Sequence, residues 1–228
     1  MNSSTPTFSN KEIKLNLPFG CVVAGPSTSG KSTFIRKLII HSAEMISPPP
    51  RSIAYFYGEY SDMVRELQHS TTPEVQVMAG LPSDDQLKLL EKPALVILDD
   101  LLYSLEQPKY LADLFSKKAH HMNMGVVFVA QDVFERKIRV ARQNSQYLVL
   151  TRAPSSALSI RNLGIQLFPG PGQLKFFLDA YRQATAEKYS YLFVDLHPAS
   201  NPALRLRTNI FPDDPEPLSI FTPKNAST

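Results

Sequence analysis

Between residues 20 and 40 the chain reads GCVVAGPSTSGKSTFIRKLII, in which Gly25, Gly30, Lys31 and Ser32 keep the spacing G-x-x-x-x-G-K-[ST]. Each residue type in that pattern answers a chemical need. The glycines let the backbone of Gly25, Pro26, Ser27, Thr28, Ser29 and Gly30 curl until its N–H groups converge on phosphate oxygens. Lys31 reaches the β and γ oxygens, and the Ser32 hydroxyl suits Mg²⁺. Thr33 opens the helix whose positive end faces the anion. The chemistry read from these residues is the gripping of a nucleoside triphosphate, with ATP and Mg²⁺ as the expected ligands.

A triphosphate grip needs an acidic partner at the tip of a neighbouring strand, and the run ALVILDD ends in Asp99 and Asp100. Asp99 suits the Mg²⁺ shell, and Asp100 can orient and deprotonate a water for attack on the γ-phosphate. Aspartate at a strand end is also an ordinary turn or cap residue; the pairing with the P-loop favours the catalytic reading. Gln131 closes the next apolar strand, where it could report on the γ-phosphate or simply cap the strand end. The connector ERKIRVARQN carries Arg136, Lys137, Arg139 and Arg142. Such a run is either a solvated face or the source of an arginine that reaches a neighbouring subunit's γ-phosphate. Arg139 and Arg142, three apart, would share one face of a helical turn.

The elements that must position these groups follow from hydrophobic patterning. Apolar runs at 20–24, 52–58, 74–80, 93–101, 125–131, 146–150 and 189–196 read as strands, several of them apolar throughout. Helical spacing appears at 33–40, 83–92, 109–123, from Ser155 or Ser156 to about Leu167, and at 173–187. Continuously apolar strands separated by helices indicate an α/β fold with a central, mostly parallel sheet covered on both faces. The expected organisation is a loose N-terminal arm at 1–16, a P-loop domain at 17–197 and a proline-rich tail at 198–228. That tail holds six prolines and cannot form a continuous helix or a central strand.

Composition bounds the reading less sharply. A formal charge of +3 over 228 residues neither announces nor excludes a nucleic-acid binder. The one cysteine, Cys21, lies in an apolar strand, which suits an intracellular protein. No apolar run reaches membrane-spanning length and the polar start lacks a secretion signal, so no membrane partner is expected.

The order of P-loop, VILDDL, VVFVAQDVF, basic connector and NSQYLVL resembles the packaging ATPases of the FtsK–HerA superfamily, a P-loop NTPase fold of RecA/FtsK type. Within it, GPSTSGKSTF, FYGEY, YSYLFVDLHP and LRLRTNIFP look most like the ATPases of Polinton/Maverick elements and adintoviruses, with the poxvirus packaging ATPase more distant. The match covers roughly residues 18 to 212. The resemblance implies a homo-oligomeric ring that uses ATP and Mg²⁺ to drive double-stranded DNA, without regard to sequence, into a preformed capsid. A capsid or portal protein is then a partner, and the site of action is where capsids assemble in the host cell. It also implies Lys31, Ser32 and Asp99 as ligands of phosphate and metal, Asp100 as the base, Gln131 as the sensor and Arg139 as the finger. One departure is visible: family members often carry Arg-Asp after the proline that follows the last of these strands, where this chain has Ser155 and Ser156 behind Pro154.

Three other readings compete. A P-loop kinase would need a substrate pocket under a lid and no finger from a neighbour. A helicase or recombinase would stack single-stranded bases on aromatics, and this chain has no tryptophan. A nucleotide-switched scaffold would have no use for both Asp99 and Asp100.

Overall fold

The computed structural model describes residues 13–69 and 72–223. In chain order its elements are β1 (Leu15–Asn16), β2 (Phe19–Ala24), α1 (Lys31–Ile40), α2 (Ser42–Met45), β3 (Ile46–Ser47), β4 (Ser52–Tyr57) and α3 (Asp62–His69). There follow β5 (Gln76–Ala79), α4 (Asp84–Leu89), β6 (Ala94–Asp99), α5 (Pro108–Asp113), α6 (Ala119–His121) and β7 (Met124–Ala130). The last third holds α7 (Arg139–Gln143), β8 (Tyr147–Thr151), α8 (Ala157–Leu167), α9 (Pro171–Ala184), β9 (Tyr191–Asp195), β10 (Leu206–Thr208) and β11 (Ser219–Phe221). A π-helical turn, Leu114–Lys118, joins α5 to α6, so the helix expected at 109–123 is present in three pieces.

Nine strands form one sheet in the order β11-β10-β9-β8-β2-β7-β6-β4-β5. The six from β8 to β5 are mutually parallel, and β9, β10 and β11 continue the sheet in antiparallel fashion. The fold is therefore α/β with a central, mostly parallel sheet. Every residue of β2, β7 and β8 is buried, as strands covered on both faces require. One face carries α1 and α3 through Phe34, Ile35, Leu38, Val64 and Leu67. The other carries α4 to α9 through residues such as Leu87, Leu111, Phe115, Ile160 and Phe177. Cys21 lies inside β2, fully buried, and its thiol is held protonated by that burial. Among the described residues no helix is long and apolar enough to cross a membrane.

Local signals account for several boundaries. Ser83 caps α4 with its hydroxyl on the Gln86 amide while the Gln86 side chain returns to the Ser83 amide, a complete capping box. Gly125 sits within β7 directly opposite Phe19 of the adjoining strand β2, where a β-carbon would come within 2.6 Å of the Phe19 ring.

At both ends the chain is more closely built in than the proposed arm and tail imply. Leu15 is buried in β1, which pairs with β3. Residues 1–12 of the expected arm and 224–228 of the expected tail lie outside the described residues. Within 198–223, β10 and β11 add to the free edge of β9, and the prolines at 212, 215 and 217 fall between those strands, where a missing N–H removes no ladder bond. Arg207 of β10 and Asp195 at the end of β9, both side chains 1% exposed, meet at 2.9 Å and tie this extension to the sheet.

Candidate nucleotide site

The P-loop occupies the turn between β2 and α1. Gly30 caps α1 with φ 106, Thr28 also has positive φ, and no side chain caps the first turn, which holds no acidic residue. The N–H groups at that end are thus without a side-chain partner, and their positive potential is not neutralised locally. Gly25 is held from beneath: a β-carbon there would come within 1.8 Å of Thr151 Oγ1, and the Ser29 hydroxyl lies 2.6 Å from the same oxygen. Thr151, at the end of β8, also donates to the Ala24 carbonyl at 3.3 Å. Lys31 folds over the loop, its Nζ donating to the carbonyls of Gly25 and Pro26 at 2.7 and 2.8 Å. Partial burial lowers the Lys31 pKa, while Asp99 and Asp100 work to raise it, so the ammonium faces both carboxylates.

Strand order makes this meeting possible. β7 lies between the P-loop strand β2 and the acidic strand β6, with Ala24 opposite Ala130 and Leu98 opposite Phe128. Asp99, Asp100 and Gln131 therefore leave the sheet at the same carboxyl edge as the P-loop. The Asp99 carboxylate accepts the Tyr55 hydroxyl from β4. Burial pushes the Asp99 carboxyl above the usual range; the Tyr55 bond opposes this, the charge of Asp100 adds to it, and Lys31 opposes it. Asp100 is exposed and left-handed, with φ 53, and its carbonyl approaches Gly58 so closely that a β-carbon on Gly58 would lie 1.9 Å away. Gly58 also donates its N–H to the Asp99 carbonyl at 3.0 Å. Gln131 is exposed and lines a small cleft together with Gly25.

These residues suit the ligands expected of them. Mg²⁺ binds through one or two protein oxygens with phosphates and waters completing its shell, and Ser32 with Asp99 supplies such a set. Among the described residues no group of three or more His, Cys, Asp or Glu could form a dedicated metal cage.

The connector behaves less uniformly than its composition. Arg136–Ile138 form a 3₁₀ turn leading into α7. Arg142 lies 4.2 Å from the centre of the Phe134 ring and donates to Gln166 at 3.0 Å, and Lys137 donates to the Leu102 carbonyl at 3.2 Å. Arg136 and Arg139 are exposed, and no carboxylate among the described residues is within ion-pairing distance of either. Arg136, Arg139 and Arg142 border one groove of about 420 Å³, whose lining includes no P-loop residue and neither Asp99 nor Asp100. Asp132 is a structural residue: it accepts the Phe134 amide at 2.7 Å and the Ser159 hydroxyl at 3.0 Å.

Sequence reasoning passed over Tyr55, Gly58 and Thr151 as site residues. Thr151 is 122 positions from Ser29 and only the pairing of β8 with β2 joins them; the signal available was a polar residue ending an apolar strand, the same signal that marked Gln131.

No family model matches the chain, and no curated protein matches it. Its fold can be laid over the cytoplasmic domain of EssC with 15% identity and a TM-score of 0.44, covering 68% of this chain and 36% of that one. For EssC ATPases 2 and 3 from Geobacillus thermodenitrificans the figures are 14% and 0.46, with coverage of 92% and 41%. For the cytoplasmic domain of the Thermomonospora curvata type VII secretion ATPase EccC they are 13% and 0.48, with coverage of 89% and 24%. The chain thus spans less than half the length of each of these structures.

Proposed function

We propose that the chain hydrolyses ATP with Mg²⁺ and uses the energy to move double-stranded DNA as a homo-oligomeric ring, feeding a viral or transposon genome into a capsid. The observation that carries the hydrolytic part is the strand order β6-β7-β2, which sets Asp99, Asp100 and Gln131 beside the P-loop. In that arrangement Mg²⁺, held by Ser32 and Asp99, would neutralise charge on the phosphates. Lys31 draws the β and γ oxygens into the loop. Asp100, exposed and therefore open to water, accepts a proton as water attacks the γ-phosphorus; the bond to the β–γ bridging oxygen breaks, and ADP and phosphate leave. Gln131 orients that water or registers the γ-phosphate. Arg139, exposed and with no carboxylate partner among the described residues, would serve the site of an adjoining subunit.

The DNA part rests on the sequence resemblance, and the exposed cations Arg136 and Arg139 are compatible with it. A P-loop kinase, or a DNA-dependent ATPase of helicase or recombinase type, is the competing reading. The test is ATP turnover with and without long double-stranded DNA. DNA-stimulated turnover is expected, lost in Lys31→Ala and Asp100→Asn, and reduced about 10³-fold or more in Arg139→Ala. Mixing Arg139→Ala with Asp100→Asn subunits should restore part of the rate, since each supplies what the other lacks. Turnover indifferent to DNA, with Arg139→Ala fully active, would sink both the ring and the finger.

A further inference from the structure

We infer that the groove between the start of α1, the turn from α9 to β9 and the segment 208–216 is the seat of the nucleoside half of the bound nucleotide, with Tyr189 as the platform for its base. The inference rests on the P-loop reading and adds to it which part of the chain recognises the base.

Direction comes first. The groups suited to the γ-phosphate, Asp99, Asp100 and Gln131, all lie on the β7–β6 side of the P-loop strand. A triphosphate with its γ end there must carry its nucleoside toward the other side, where β8 and β9 lie. On that side a groove of about 330 Å³ includes Thr33, which directly follows the P-loop serine, together with Glu187, Lys188, Tyr189, Asn209 and Glu216. That volume falls at the small end of the range for ligand sites and suits a single nucleoside. A larger cleft of about 630 Å³, between α8 and α9, contains no residue of the P-loop or of α1.

The groove is tied to the phosphate site by contact. A β-carbon on Gly30 would lie 2.7 Å from Tyr189 Cα, so the turn rests on the last glycine of the loop. Tyr189 has φ 65, a conformation uncommon for a bulky residue and costly unless its surroundings impose it. Its side chain is not sunk into the core beside Phe34 and Tyr191; the residue is 45% exposed, with the Lys188 ammonium 4.7 Å from the ring centre. An aromatic ring held at such a place offers a π-face on which a base can stack. Glu187 and Glu216 at the rim can accept hydrogen bonds from ribose hydroxyls.

The walls are preformed. Lys37 of α1 pairs with Asp214 at 2.7 Å, and Asp214 also accepts the Tyr191 hydroxyl at 3.1 Å. Thr208 donates to the Tyr191 carbonyl at 2.7 Å. The proline-rich segment is therefore one side of the site, fastened to the same helix that the P-loop begins.

Binding to the full-length chain, measured by calorimetry with Mg·ATP and with Mg·tripolyphosphate, separates the two halves. Tyr189→Ala should weaken ATP binding about tenfold to a hundredfold, the range for losing a base–aromatic stack. Tripolyphosphate should be unaffected, and Tyr189→Phe should bind both as the unaltered chain does. Equal weakening of both ligands, or of neither, would overturn the inference and leave the P-loop reading standing. Failure of the unaltered chain to bind tripolyphosphate would overturn both.

Discussion

Replacing Asp100 by asparagine tests the hydrolytic assignment with the least disturbance to the fold. Asp100 is exposed and sits at φ 53, a region that asparagine enters nearly as readily as aspartate, whereas alanine would add roughly 1–2 kcal/mol of backbone cost. Asp100→Asn should therefore leave the denaturation midpoint unchanged and keep the close approach of its backbone to Gly58. Mg·ATP affinity should also hold, because Ser32 and Asp99 remain. Only the proton acceptor is lost. General-base catalysis contributes about 10²–10⁴ in rate, so single-turnover phosphate release should slow by that factor, equivalent to roughly 3–5 kcal/mol in the barrier. Removing this negative charge also withdraws one of the two interactions that sustain the Lys31 ammonium against burial. Any residual turnover should consequently lose its alkaline limb at lower pH than in the unaltered chain. A variant that keeps more than a tenth of the rate, with unaltered binding, would refute Asp100 as the base.

Two further changes probe what the site and its supports cost the fold. In the folded chain Asp99 carries its charge with a raised pKa, chiefly because it is buried, so at neutral pH it destabilises the native state relative to the unfolded one. Asp99→Asn should raise the unfolding temperature at pH 7 while abolishing Mg²⁺-dependent turnover. That gain should fade as pH falls through the raised pKa of the folded chain and be gone below the ordinary carboxylate value, where the native and unfolded chains are both protonated; an unchanged or lower unfolding temperature at pH 7 would contradict it. Arg207→Met strands the buried Asp195 carboxylate and should cost about 3–5 kcal/mol of unfolding free energy by urea titration, with much of it recovered in the double change with Asp195→Leu. A loss below about 1 kcal/mol would mean that the pair is not buried as described.

Local pattern carried the chemistry of the site a long way. Gly25 to Thr33 form one continuous stretch, so the loop and its helix could be read from spacing alone. Asp99, Asp100 and Gln131 each follow an uninterrupted apolar strand, and in a parallel sheet such residues emerge at the ligand edge. What escaped is what only tertiary pairing creates. Tyr55 looks like one more aromatic residue in a buried strand, yet β4 beside β6 brings its hydroxyl to Asp99. Thr151 ends β8 with a hydroxyl no more conspicuous than others, yet it supports both Gly25 and Ser29. Tyr189 stands in a polar turn, and neither its contact with Gly30 nor its left-handed backbone leaves a mark in residue type.

The C-terminal third shows why proline content misleads about packing. Prolines exclude a helix or a central strand, but short edge strands separated by proline turns satisfy the same restriction and still bury apolar surface. Phe211, in the segment NIFPDD, packs edge-on to Phe34 of α1 at 5.1 Å between ring centres, and Asp213 and Asp214 reach Lys37 of the same helix and His41, which caps its C-terminal end. The P-loop helix is thereby gripped along its length by residues about 175 positions away. A loop that must hold its N–H groups toward an anion benefits from a helix that cannot shift, and β9 to β11 supply that hold from the edge of the sheet opposite the acidic strand. Deleting 206–223 should therefore weaken Mg·tripolyphosphate binding measured by calorimetry, and unchanged affinity in a chain that still folds would refute this hold.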